Sequence, residues 1–143
     1  MIRFNHGWPF NQKTKKGPKF KNKKHVYDGI EFASGIEVTR YKELKLLEQA
    51  RKIRNIEVHP RFELQEAIIH PYYGLKKDGS PKSSGKSHYT ADFRYFDREI
   101  CIIVVEELKS VVTKKKTDYR QRIRLFLEKY CMSGVIEFRE IVR

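Results

Sequence analysis

The hydrophobic pattern of the chain is dominated by one stretch, Ile100-Cys101-Ile102-Ile103-Val104-Val105-Glu106-Glu107-Leu108-Lys109. It opens as an unbroken apolar, largely β-branched run, which suits a strand buried on both faces. It then ends in two acids, a leucine and a lysine. Side chains alternate along a strand, so Glu107 and Lys109 share one face and Glu106 takes the other.

The remaining pattern predicts what surrounds that strand. Asp28-Gly29 between Val26-Tyr27 and Ile30-Glu31-Phe32 is a two-residue hairpin signal. Ser34-Gly35-Ile36-Glu37 fits a capping box, with the serine at N-cap and the acid at N3. Tyr41, Leu44 and Leu47 then recur at helical spacing, and the helix is expected to end near Arg51 or Lys52. Ile56 to Ile69 predicts a strand bent at Pro60. Residues 70 to 87 form a polar loop, basic through Lys76, Lys77, Lys82 and Lys86. A loop of that length inside a compact domain is usually functional or disordered. His88 to Phe96 predicts a strand with Tyr89, Ala91, Phe93 and Tyr95 on one face, and Asp92 with Arg94 on the other. A basic loop over 110 to 116 leads to a helix from Thr117 to about Met132, with Ile123, Phe126, Leu127 and Tyr130 as its apolar stripe. Ser133-Gly134 ends it, and Val135 to Ile141 alternates as a last strand. The order is α-β-β-β-α-β. It predicts an α/β (α+β) domain with helices packed on a central mixed sheet.

Composition adds a partner. The net charge is +13 over 143 residues, which points to a polyanion, most plausibly nucleic acid. The charge is uneven: residues 1 to 24 are rich in lysine and contain no acid. They are expected to form a flexible basic arm ahead of a single domain over 25–143. Trp8, Phe10 and Phe20 within the arm would stack on bases, dock back on the domain, or stay in a disordered solvated tail. No apolar run is long enough for a membrane helix, and the basic start lacks the apolar segment of a signal peptide, so a cytoplasmic location without membrane contact is expected. Cys101 and Cys131 are expected as small buried hydrophobes, and the histidines and cysteines show no paired zinc spacing. Gly79…Gly85-Lys86-Ser87 departs from a P-loop in its spacing, and a strand is expected after it, which argues against nucleotide binding.

The chemistry lies in three residues on two strands expected to pair. Asp92, Glu107 and Lys109 would place two carboxylates and one ammonium in a small volume. Two close carboxylates raise a pKa unless a cation sits between them. All-oxygen ligation suits a hard ion such as Mg²⁺, which bridges to phosphate oxygens. Taken singly, each residue is better read as an exposed strand end or part of a cross-strand ion pair. The three together on this topology, in a chain of charge +13, point to a metal site.

The order αβββαβ with Asp92…Glu107-Leu108-Lys109 resembles the PD-(D/E)XK nuclease superfamily, whose fold is the restriction-endonuclease-like core. More narrowly, Ser34-Gly35-Ile36-Glu37, Arg40-Tyr41, Phe62-Glu63-Leu64-Gln65, Tyr89-Thr90-Ala91-Asp92-Phe93, Val104 to Lys109 and Ile136 to Ile141 resemble a group of small phage and prophage proteins. The likeness covers about residues 21 to 141. It implies Asp92 and Glu107 as metal-binding acids and Lys109 as the catalytic lysine. Glu37 matches a further acid that Holliday-junction resolvases and related nucleases place near the metal, although helix capping explains it as well. Ala91 stands where the superfamily motif has proline. Gln65 would approach the site from the preceding strand.

The implied function is a Mg²⁺-dependent (or Mn²⁺-dependent) DNA endonuclease of recombination or repair, acting on branched DNA as a homodimer in a bacterial host cytoplasm. Lys76, Lys77, Lys82, Lys86, Lys114, Lys115 and Arg122 are the expected DNA contacts. The alternatives are a non-catalytic nucleic-acid-binding protein on a nuclease-like scaffold, and a nicking or restriction-like enzyme on linear duplex.

Overall fold

A computed structural model describes residues 24–109 and 117–142. The expected arm, apart from Lys24, and the basic loop with Lys114 and Lys115 lie outside the described residues.

The first described elements are a small hairpin of β1 (His25–Tyr27) and β2 (Ile30–Phe32). Asp28 and Gly29 turn it with φ of 54° and 73°, the backbone such a tight turn needs. Helix α1 (Gly35–Gln49) follows with Ser34 as its N-cap. The central sheet has the order β3-β6-β7-β8, built from β3 (Ile53–Val58), β6 (Phe93–Asp97), β7 (Ile102–Lys109) and β8 (Ile136–Val142). The first two pairings are antiparallel and β7–β8 is parallel. The parallel crossover carries helix α2 (Thr117–Phe126), which continues as a π-helical turn over Leu127–Cys131.

Alternation along β7 divides the core in two. Val104 and Val105 are both fully buried, on opposite faces of the sheet. Val104 packs with Phe32, Tyr41, Leu44, Ile53, Phe93 and Tyr95, under α1. Val105 packs with Phe62, Leu64, Tyr89, Ala91 and Phe126, under α2. The result is a mixed α/β domain with one helix on each face of the sheet. Both faces of β7 are covered, which is why its run is apolar without alternation.

The two long strands expected from the pattern are each broken. In place of one strand over Ile56 to Ile69 there are β3, which begins earlier at Ile53, and β4 (Arg61–Gln65), which stops short of Ile69. His88 to Phe96 divides into β5 (Ser87–Thr90) and β6. The break sends Tyr89 and Ala91 to the α2 side while Phe93 and Tyr95 pack under α1, so the four do not share the one face expected of them. Val58 pairs with Phe93 before the break, and Arg61 with Thr90 after it. The register is therefore continuous, and His59-Pro60 lies opposite Ala91-Asp92. Two backbone bonds cross there, from His59 N–H to the Asp92 carbonyl at 2.9 Å and from Ala91 N–H to the Pro60 carbonyl at 3.1 Å. The expected bend at Pro60 is present; its counterpart at Ala91-Asp92 carries no glycine or proline to announce it.

Two smaller expectations are corrected. The apolar strand begins at Ile102, because Ile100 and Cys101 belong to a turn in which Asp97 Oδ1 accepts the Glu99 and Ile100 amides. Cys101 is consequently exposed instead of buried, with a left-handed φ of 55°. Both cysteines are free thiols. Among the described residues, no helix is long and apolar enough to cross a membrane.

Candidate acid–lysine site

The β7 exit presents its two glutamates to different environments, as alternation requires. Glu106, fully buried, faces α1. Arg40 grips it in a fork, Nε to Oε2 at 2.8 Å and Nη2 to Oε1 at 2.7 Å, and the Tyr95 hydroxyl donates to Oε1 at 2.6 Å. The Glu106 contact is the main reason the Arg40 guanidinium is held still more firmly in its charged form. This is a satisfied structural ion pair.

Glu107 faces α2 and is only 2% exposed. Tyr89 donates its hydroxyl to Glu107 Oε2 at 2.5 Å, and Lys109 forms an ion pair with Oε1. Burial raises the Glu107 pKa above the usual carboxylate range, Lys109 and Tyr89 oppose that rise, and Glu140 adds to it. Glu140 is the parallel neighbour of Glu107 on β8. Burial and Glu107 raise the Tyr89 pKa strongly, so the phenol remains a donor.

Asp92 joins them from the break between β5 and β6. Its Oδ2 accepts the Leu108 amide at 2.6 Å, and its own amide donates to the Glu106 carbonyl at 3.1 Å. Its pKa is raised to about 7, first by burial and then by the Glu107 charge; the Leu108 amide works against the shift and Glu37 reinforces it. Asp92, Glu107 and Lys109 are therefore one electrostatic unit.

The cleft beside this unit encloses about 330 Å³ and is lined by His88, Tyr89, Thr90, Glu107, Lys109, Asp118, Tyr119 and Arg122. The α2 helix brings Tyr119 over Lys109, whose Nζ lies 4.8 Å from the ring centre. The Tyr119 hydroxyl is tied to Glu140 Oε2 at 2.7 Å. Arg122, one of the expected DNA contacts, lines the cleft; Arg120 and Arg124 line a different groove.

Glu37 has a different principal engagement. Ser34 Oγ donates to its Oε1 at 2.9 Å and the Ala33 amide donates to its Oε2 at 3.1 Å. Both carboxylate oxygens thus serve the α1 N-terminus. The Glu37 amide donates to Ser34 Oγ at 3.3 Å as a capping box requires, while the acid reaches the Ala33 amide, one residue before the N-cap. His59 Nε2 stands 3.6 Å from Oε2. Glu37 acts on Asp92 through its charge.

Gln65 does not reach the cleft; it is exposed and lines a separate hollow with Glu66, Ile68 and Ser84. Lys86 is held by Glu63 and Glu66, both at 3.0 Å, so its charge is already paired. Sequence patterning overlooks Tyr119 and His88 as cleft residues and His59 as the residue opposite Asp92. The His59-Pro60 dipeptide is the one local signal for the last, since proline interrupts the ladder there.

Among the described residues, no group of three or more His, Cys, Asp or Glu side chains is arranged to hold a metal ion. Of the acids, Glu107 and Asp118 line the cleft, and Asp92 stands next to it within the electrostatic reach of Glu107.

Fold and site together define a mixed α/β domain that holds a partly buried acid–lysine unit, with Glu107 at its centre, at the end of a central strand, in a strongly basic chain. The chain belongs to the family described as "Protein of unknown function (DUF1064)", whose model matches residues 17–138. No curated protein and no solved structure matches it.

Proposed function

We propose that this protein is a divalent-metal-dependent DNA endonuclease with a restriction-endonuclease-like αβββαβ core. The favoured substrate is branched DNA, four-way junctions first, as for a phage-type Holliday-junction resolvase in recombination or repair. The observation that carries the proposal is the Asp92–Glu107–Lys109 unit. Two neighbouring carboxylates both have raised pKa values, and a strongly basic chain has little reason to bury acids beside a cleft unless a cation joins them.

The donor chemistry fits Mg²⁺, or Mn²⁺ in its place. Mg²⁺ commonly takes one or two carboxylates and completes its shell with water and phosphate oxygens. Asp92 and Glu107 would hold the ion, which would supply Lewis-acid polarisation of a phosphoryl oxygen. Leu108 N–H and Tyr89 O–H keep the two carboxylates in place. Lys109, steadied by Glu107 and the Tyr119 ring, offers its ammonium to the negative charge developing on phosphorus. Arg122 at the cleft wall would anchor a flanking phosphate. Glu37 contributes field and helix capping, and is not needed as a ligand. A homodimer would place two such sites on opposing strands.

One observation favours a second reading, a non-catalytic DNA-binding protein on the same scaffold: no three-residue metal-ligand group occurs among the described residues. Incubating labelled junction, flap and linear duplex with the full chain, in Mg²⁺ or in EDTA, separates the two. Nuclease function predicts Mg²⁺-dependent cuts, with the junction cut fastest. Binding without cuts in any metal would favour the second reading. Base-sequence preference on linear duplex would indicate a restriction-like or nicking enzyme.

A further inference from the structure

The excursion between β4 and β5 exposes large apolar side chains on a basic frame. Ile68, Ile69, Tyr72, Tyr73 and Leu75 are all exposed, and Tyr72 is the extreme at 84%. The excursion is nevertheless a built structure. Bridges pair Ile69 with Ser83 and Leu75 with Pro81. The Lys82 amide donates to the Gly74 carbonyl at 2.9 Å, and the Ser84 amide to that of Ile68 at 2.8 Å. Lys86, held by Glu63 and Glu66, ties its base to β4.

Tyr72 stands on a 3₁₀ turn, Pro71–Tyr73, whose N-cap His70 accepts the Tyr72 amide on Nδ1 at 3.1 Å. Tyr73 meets the Tyr72 ring edge-on, with centroids 5.4 Å apart and planes at 87°. An ordered backbone thus holds an aromatic ring out in water. Lys76, Lys77 and Lys82 belong to the same excursion, and none of them forms an ion pair among the described residues. Of the two acids within the excursion, Glu66 pairs with Lys86, and Asp78 is turned onto Ser80, accepting its amide at 2.9 Å and its hydroxyl at 2.7 Å.

We propose that Tyr72 is a stacking platform for an unpaired DNA base, through which the excursion recognises a branch or gap in a duplex. The proposal rests on the DNA-binding part of the function above and specifies its substrate. Any base offers a π-face to an aromatic ring, and ammoniums of the same segment follow the phosphates. Inside an intact duplex those faces are covered by neighbouring pairs, so the platform works only where a base is unstacked. The unpaired lysines favour a polyanion over an apolar protein surface. The excursion ends at Ser87, the first residue of β5, and the next residues of that strand, His88, Tyr89 and Thr90, line the cleft, so the excursion leads directly into the cleft wall.

The test is binding, measured with the full chain in EDTA so that no strand is cut. The probes are a linear duplex and the same sequence with a three-nucleotide gap or a four-way junction, each carrying a fluorescent purine at the opening. Tyr72→Ala is expected to weaken the gapped and branched probes about tenfold while leaving the duplex within about twofold. Tyr72→Trp is expected to restore the preference and quench the purine. Equal affinities of Tyr72→Ala and wild type for the branched probe, as expected if the patch docks a protein instead, would overturn the proposal. So would an equal loss on both probes. Preferential binding without any cleavage in Mg²⁺ would leave it standing and overturn only the nuclease function.

Discussion

Asp92 stands where the β6–β7 ladder, continued one step beyond the Phe93–Glu106 pair, would set it opposite Glu107. Its carboxylate instead accepts the Leu108 amide. The strand break at Ala91-Asp92 thus brings one acid to the exit strand of the other, at the end of a sheet covered on both faces.

This closeness has a pH signature. The Asp92 pKa is about 7 in the folded chain, against about 3.9 for an unfolded aspartate. Between those values the folded state holds a proton that the unfolded state has lost, so stability falls as pH rises through that window. In EDTA, wild type should lose on the order of 2–4 kcal/mol between pH 4 and pH 8 from this source. Chemical denaturation of Asp92→Asn should show a shallower slope by that amount; an unchanged slope would count against the raised pKa.

A divalent cation should act where the proton does. At pH 8, millimolar Mg²⁺ or Mn²⁺ should raise the wild-type melting temperature, because binding to the folded state alone adds stability. The rise should shrink at pH 6, where a proton competes for Asp92, and disappear in Asp92→Asn. Thermal melts with and without EDTA read both effects.

Neighbouring glutamates should fail in opposite ways. Arg40→Ala leaves Glu106 buried without its fork and should cost about 3–5 kcal/mol of folding stability. Glu107→Gln relieves repulsion with Asp92, so it should fold at least as stably at pH 8 while losing cleavage by 100-fold or more. Equal stability losses in the two variants would contradict the division of roles.

Lysines of the excursion should also differ. Lys76→Ala and Lys77→Ala should each reduce the salt slope of DNA binding by about one. Lys86→Ala should change it little, since Glu63 and Glu66 already neutralise that charge. Affinity measured across a salt series distinguishes them.

Much of the fold is legible in local pattern. The apolar run ending at Lys109 announces a doubly covered strand, and alternation alone assigns Glu106 and Glu107 to different faces. Ser34 and Glu37 announce the α1 cap through their spacing, while the same spacing leaves the acid's second role open. What escapes the pattern depends on tertiary placement. The break at Asp92 is made by the ladder opposite His59-Pro60, and Ala91-Asp92 itself carries no turn signal. Tyr119 becomes a cleft residue only because α2 lies over β7, and Glu140 neighbours Glu107 only through parallel pairing. Lys86 looks like a phosphate contact until Glu63 and Glu66 are seen beside it.

Single-turnover cleavage of a labelled four-way junction in Mg²⁺, comparing wild type with Lys109→Ala, is the most direct test of the Asp92–Glu107–Lys109 unit as a catalytic site. Wild type should cut, EDTA should abolish cutting, and Lys109→Ala should bind the junction with near-normal affinity while cutting at least 100-fold more slowly. Cutting by Lys109→Ala at the wild-type rate, or no cutting by wild type in Mg²⁺ or Mn²⁺, would contradict a catalytic site built on this unit.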